Sequence, residues 1–143
     1  MKGKFHLVST LIFFILLWLI VPDIHVTEIF LPVFLTMYPD VDLRFQSLGH
    51  RSIWTHSIVL PFIVFCFNPS MITVLVILSI GFHCLCDLRF TKQTGYYTIK
   101  ILRMRSSKRS WYSRFRMNGK QTTTWLFSNF ILSLIITLIW CFS

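Results

Sequence analysis

The chain has 143 residues, of which 55% are hydrophobic and only 13% charged. Soluble domains usually carry about 25% charged residues, so this composition argues against a soluble globular protein. The 14 Lys and Arg outnumber five Asp and Glu; in a membrane protein this excess is typical of contact with anionic lipid headgroups, and we do not expect nucleic acid to be the partner. We therefore expect a single integral-membrane domain, 1–143, of the all-α class.

Five apolar segments predict helices, and they occupy 5–21, 24–38, 57–67, 71–86 and 123–140. The first and the last are near the ~20 residues that a helix needs to cross a bilayer. No small-residue cleavage site follows the first segment, so we expect a retained membrane helix and not a signal peptide. The Asn-Pro-Ser of 68–70 is a turn signal, which predicts that the third and fourth segments form a helical hairpin, 55–67 with 71–87.

The distribution of charge orients the protein. Ten of the 14 Lys and Arg lie in 89–120, the basic segment, which contains no acidic residue. Short loops rich in Lys and Arg stay on the cytoplasmic side, and Lys2 and Lys4 place the N-terminus there as well. An even number of membrane crossings must then separate the N-terminus from the basic segment. The segment 24–38 is therefore counted as a crossing. The sequence thus predicts a polytopic helical bundle of the cytoplasmic (inner) membrane, with about five membrane segments.

The basic segment also contains aromatic residues, Trp111, Tyr112 and Phe115. One interpretation is a surface-lying cytoplasmic loop, with its rings at the headgroups and its cations on anionic lipid. A second is phosphate contact with nucleic acid, and a third is control of topology alone. We favour the first.

Most of the rare acidic and histidine side chains are predicted at the cytoplasmic face. They are His6, Asp40, Asp42, His50, His56, His83 and Asp87. His56 lies thirteen residues before Pro69 and His83 fourteen after it, so in antiparallel helices both lie about 20 Å from the turn. His83 and Asp87 are four residues apart and share a helix face. The sequence therefore predicts a polar site on the cytoplasmic side, to which both helices of the hairpin contribute.

Imidazole and carboxylate groups suit Zn, Mn or Fe, and with water they can hold Mg. We expect a divalent metal, with Zn first among these, and enough ligands for two ions. The predicted metal ligands are His6, Asp40, Asp42, His50, His56, His83 and Asp87.

This donor set suggests hydrolysis. A two-metal site activates water and stabilises the leaving oxygen of a phosphoester. Arg51 is the predicted phosphate clamp, and the candidate general bases are Asp40, Asp42 and Asp87. Thr55 is predicted to cap a helix that starts with His56, and with Ser57 to orient the imidazoles.

Other interpretations stay open. A membrane histidine is often a packed or interfacial residue, which applies most to His6 and to the pair His25 and Glu28 on the outer side. The function alternatives are a metal-binding membrane protein without catalysis, such as a transporter or a regulatory partner, and a small effector that perturbs membranes. Because five short helices enclose little volume, a homo-oligomer is a further expectation.

The motifs together resemble the YdjM-like family of membrane-bound metal-dependent hydrolases. The family pattern is an early His, a P-D-x-D, an H-R-G-x-T-H-S and a G-x-x-x-H-x-x-x-D followed by Thr and Gly. The matching residues are His6, Pro39, Asp40, Asp42, His50, Arg51, Thr55, His56, Ser57, His83, Asp87, Thr91 and Gly95. The resemblance covers 5–95 and departs at Ser52, at Gly81 and in the spacing of His50 and His56. It implies a metal-dependent hydrolase without naming a substrate.

Overall fold

The computed structural model describes residues 3–21, 23–40, 54–88, 98–102, 112–116 and 119–142. Its helices and strands are α1 Gly3–Ile20, α2 Val26–Leu35, α3 Val59–Phe67, α4 Met71–Cys86, β1 Thr98–Leu102, β2 Tyr112–Arg116 and α5 Gly119–Phe142. The predicted all-α architecture is confirmed in that five helices build the fold. The strands form one antiparallel pair, with Thr98 opposite Arg116 and Leu102 opposite Tyr112. We did not predict this ribbon, which lies inside the basic segment.

The predicted hairpin of α3 and α4 is present, and side-chain hydrogen bonds define its turn. The Ser70 backbone N–H donates to Thr73 Oγ1 at 3.1 Å, and the Thr73 N–H donates to Ser70 Oγ at 3.4 Å. This reciprocal pair is a capping box, which satisfies two N–H groups that the first turn of a helix leaves free. The Asn-Pro-Ser signal therefore ends one helix and begins the next.

The start of α3 differs from the prediction. The helix begins at Val59, because the Val59 N–H donates to Ser57 Oγ at 3.0 Å and the Ile58 N–H donates to Asn129 Oδ1 at 2.9 Å. The predicted role of Thr55 as the cap of a helix starting at His56 is wrong. Residues 55–58 instead form a buried, non-helical entry to α3.

Helix α4 is the centre of the bundle and packs against α1, α2, α3 and α5. Nine of its sixteen residues are buried, and they are distributed around the whole helix. A helix that is apolar on all sides is expected to be enclosed in this way. One core cluster joins Leu75 and Leu78 of α4 to Phe14 of α1, Ile29 of α2 and the intervening Ile24.

The helices alternate in direction, so that polar residues collect at one end of the bundle. His6 lies in the first turn of α1, Asp40 follows α2, His56 precedes α3 and Asp87 directly follows α4; we call this the polar end. At the opposite end, the rings of Phe65 in α3 and Trp140 in α5 meet with centroids 5.5 Å apart.

Among the described helices, only α5 is long and apolar enough to cross a membrane. Its apolar stretch Lys120–Phe142 has 23 residues, and just 22% of the most apolar part is buried within the fold. Helices α2 and α3, with 10 and 9 residues, rise about 15 Å and 14 Å, or roughly half of the hydrocarbon core. Length and composition thus identify one candidate membrane span.

Candidate metal site

The Asp87 carboxylate lies among three imidazoles, two of which come from distant parts of the chain. Asp87 Oδ1 is 3.4 Å from His6 Nε2. Asp87 Oδ2 is 3.6 Å from His56 Nε2 and 3.9 Å from His83 Nε2. Asp40 completes the group, since it, His56 and His83 each offer a ligand atom within 4.8 Å of the others. These five residues are the His/Asp cluster.

The cluster is withdrawn from solvent. His6, His56 and His83 are at most 1% exposed, and Asp87 is 8% exposed, whereas Asp40 is only partly buried. Burying a carboxylate is costly unless opposite charge or hydrogen bonding compensates for the lost hydration. A cation among the imidazoles would provide such compensation.

The distances fit shared ligation of a cation. Nitrogen–oxygen hydrogen bonds are usually about 2.7–3.2 Å long, shorter than all three contacts of Asp87 with imidazole nitrogen. Two ligand atoms about 2.0–2.1 Å from a tetrahedral zinc ion are about 3.3–3.5 Å apart, which is close to the His6 and His56 distances. The buried His6, His83 and Asp87, with Asp40 and His56, could therefore hold a metal ion.

Unsatisfied ring nitrogens support the same conclusion. Within the described part of the chain, Nδ1 of His6 has no hydrogen-bond partner, and neither ring nitrogen of His83 makes a hydrogen bond of good geometry. The His6 and His83 rings are stacked, with centroids 4.3 Å apart and planes inclined by 25°. Because two stacked imidazolium ions would repel each other, this packing disfavours charge on both rings, and neutral imidazole is the form that binds metals.

A hydroxyl orients one of the imidazoles. Thr55 Oγ1 lies 3.1 Å from His56 Nδ1, on the side of the ring opposite the nitrogen that faces Asp87. Metal-binding histidines commonly make such a contact through their second nitrogen, which holds the ring in the binding orientation. Of the two hydroxyls predicted for this role, Ser57 instead accepts the Val59 N–H.

Helix α5 supports the site, a role that we did not predict. Trp125 Nε1 donates to the His56 carbonyl at 3.2 Å. Asn129 accepts the Ile58 N–H through Oδ1 and donates through Nδ2 to the Trp125 carbonyl at 2.8 Å. The available signal was a polar stripe at four-residue spacing in an apolar helix, since Asn129, Ser133 and Thr137 are all buried.

The structure thus brings five of the predicted ligands together. The other predicted site residues, Asp42, His50 and Arg51, lie outside the described residues. His25 is exposed near the opposite end of the bundle, where its backbone N–H donates to Glu28 Oε2 at 3.1 Å and closes the first turn of α2. This capping contact explains why His25 and Glu28 lie together, and no bound ligand is needed to explain it.

Comparison of the chain with protein-family models, curated proteins and solved structures returned no match. The resemblance to the YdjM-like family therefore stays a prediction based on motifs, and the chemistry of the His/Asp cluster is argued from its own geometry.

Proposed function

We propose that the protein is a metal-dependent hydrolase of the cytoplasmic membrane, and that it cleaves a phosphoester or related bond at the inner leaflet. The observation that carries the proposal is the His/Asp cluster, in which the buried imidazoles of His6, His56 and His83 surround the Asp87 carboxylate. A divalent ion held there, zinc first and Mn, Fe or Mg otherwise, would supply Lewis acidity toward water and a phosphoryl oxygen.

Each residue of the site has a separate role in the proposed hydrolysis. Asp40, the most exposed acid of the cluster, takes a proton from the attacking water as general base. The water oxygen forms a bond to phosphorus, the bond from phosphorus to the leaving oxygen breaks, and that oxygen receives the proton. Asp87 would share the metal ion with the imidazoles around it. Asp42 and His50 are proposed as further ligands, and Arg51 as the clamp of the phosphate.

Chain continuity supports a cytoplasmic site. The basic segment starts at 89, two residues after Asp87, and α5 begins at Gly119, so both ends of the segment adjoin the polar end of the bundle. Segments rich in Lys and Arg tend to stay in the cytoplasm, which supports our proposal of a multi-pass arrangement with the polar end on that side. The same segment would contact anionic headgroups of the inner leaflet.

The test combines metal analysis with a hydrolysis assay on detergent-purified protein. We expect stoichiometric metal in the wild type and in His25→Ala, a control histidine far from the cluster. His56→Ala and Asp87→Ala should lose the metal, and their activity on a chromogenic phosphodiester should fall by more than the roughly 10–100-fold typical of residues that only support ligands. Full metal content in the double variant would contradict the proposal.

A second candidate is a metal-binding membrane protein without catalysis. It is favoured by the enclosure of three imidazoles at 1% exposure or less, since structural metal sites are closed while catalytic sites keep an open position. Bound metal in the wild type, without hydrolysis of any phosphoester or carboxylic ester tested, would decide for this candidate.

A further inference from the structure

An apolar cavity of about 280 Å³ lies between α2, α3 and α4. Its lining includes Leu31, Leu35, Tyr38, Leu60, Val76 and Ile80. Only carbon atoms contribute exposed surface inside it. A water molecule needs two to four polar partners to occupy a cavity, so an apolar occupant is favoured.

The cavity opens sideways from the bundle. Leu31 is 49% exposed and Leu60 39% exposed, and they lie on two different helices of its wall. In a bilayer this opening faces hydrocarbon, from which an alkyl chain can enter without crossing water.

Two residues that line the cavity lie close along the chain to members of the His/Asp cluster. Ile80 lies one helical turn before His83 on α4, and Tyr38 lies two residues before Asp40. From Ile80 the wall continues along α4 to Ile72 near the hairpin turn, a distance of about 12 Å at 1.5 Å per residue. The cavity therefore runs from the end of α4 that carries the cluster toward the hairpin turn. In the proposed orientation this is the direction from the inner leaflet into the bilayer, which the chain of an inner-leaflet lipid also takes.

We infer that this cavity binds one alkyl chain of an amphiphilic substrate, whose headgroup bond is then presented to the His/Asp cluster. The inference rests on the proposed function and names its substrate class, a lipid phosphoester. The volume is roughly twice the ~150 Å³ that accommodates benzene, which suits about a dozen carbon atoms.

The experiment uses photolabelling of the full chain in vesicles of phosphatidylcholine and phosphatidylglycerol that contain a phospholipid with a diazirine in one acyl chain. Leu60→Trp fills the mouth of the cavity. Ile63→Trp is its matched control, because Ile63 is also on α3 and 43% exposed but does not line the cavity. Val76→Phe fills the cavity from α4. Retained metal content in each variant shows that the bundle has folded.

We expect label on peptides from α2, α3 and α4 in the wild type, in Ile63→Trp and in metal-free His56→Ala. In Leu60→Trp and Val76→Phe this label should fall to the background of a probe without diazirine. Hydrolysis of long-chain lipid by these two variants should also fall, whereas they should cleave a short water-soluble phosphodiester like the wild type. Equal labelling of Leu60→Trp and Ile63→Trp would overturn the inference, even if hydrolysis is found.

Two other results separate this inference from the proposed function. Cavity labelling without hydrolysis of any ester would leave a lipid-binding cavity, and would overturn both the assignment of the lipid as substrate and the hydrolase proposal. A dimer that dissociates in Leu60→Trp, measured by light scattering in detergent, would make the cavity an interface between copies and would also overturn the inference.

Discussion

Asp87 organises the His/Asp cluster because its two oxygens face different imidazoles. Oδ1 approaches His6, and Oδ2 approaches His56 and His83. The four-residue spacing predicted the contact with His83, which at 3.9 Å is the longest of the three. The shorter contacts join residues more than 30 positions apart. The local pattern thus predicted one contact of Asp87, whereas the packing of helices determines its closest neighbours.

At the residue scale, we predict that Thr55→Val weakens metal binding about 10–100-fold, the usual effect of removing a group that orients a ligand. The change deletes the oxygen 3.1 Å from His56 Nδ1 while preserving the shape of the side chain. Thr55→Ser, which keeps the hydroxyl, should bind metal like the wild type. Competition with a chelator of known affinity measures the effect, and equal affinities for the valine and serine variants would refute this role.

At the scale of elements, the close packing of α4 and α5 holds the site together. Gly81 faces Ser133 so closely that a Cβ at Gly81 would overlap the Ser133 hydroxyl and lie 2.6 Å from Ser133 Cβ. On the same helix, Asn129 and Trp125 bind the backbone that carries His56. A wider gap between the two helices would therefore move His83 away from His56.

We predict that Gly81→Ala destabilises the bundle by about 1–3 kcal/mol, the usual cost of adding volume to a close-packed interior. The direction of the change in the free energy of unfolding is informative. Alanine is a better helix former than glycine by ~1 kcal/mol, so it would stabilise a helix position without steric overlap. Adding Ser133→Gly, which removes the overlapping atoms, should recover part of the loss. Denaturation by SDS from mild detergent measures both, and additive effects of the two changes would rule out the contact.

At the scale of the whole molecule, alternation of helix direction predicts which loops share a side of the membrane. In a variant without the native cysteines, Asp23→Cys, between α1 and α2, should react with a membrane-impermeant maleimide from outside intact cells. Lys108→Cys, in the basic segment, should react only in inverted vesicles. If α5 alone crosses the membrane, both positions lie on one side and label together, which would contradict the multi-pass arrangement.

Local features of the sequence were enough to determine several parts of this protein. The apolar runs determined the five helices. Asn-Pro-Ser determined the turn between α3 and α4, because the Ser70 side chain caps α4 in a reciprocal pair with Thr73. Helical periodicity placed His83 and Asp87 on one face, and counting from Pro69 placed His56 beside His83, where the ring centroids are 5.5 Å apart.

Only the tertiary structure decided the features that depend on contacts between distant segments. In the folded protein α4 is the central helix, and His6 lies 3.4 Å from Asp87. Asn129 of α5 accepts the Ile58 N–H, and α3 begins one residue later, at Val59. Periodicity shows which residues share a helix face but not which helix that face meets. Which helix it meets is decided by the packing of complete side-chain surfaces, and here a glycine opposite a serine allowed α5 to come close enough to support the site.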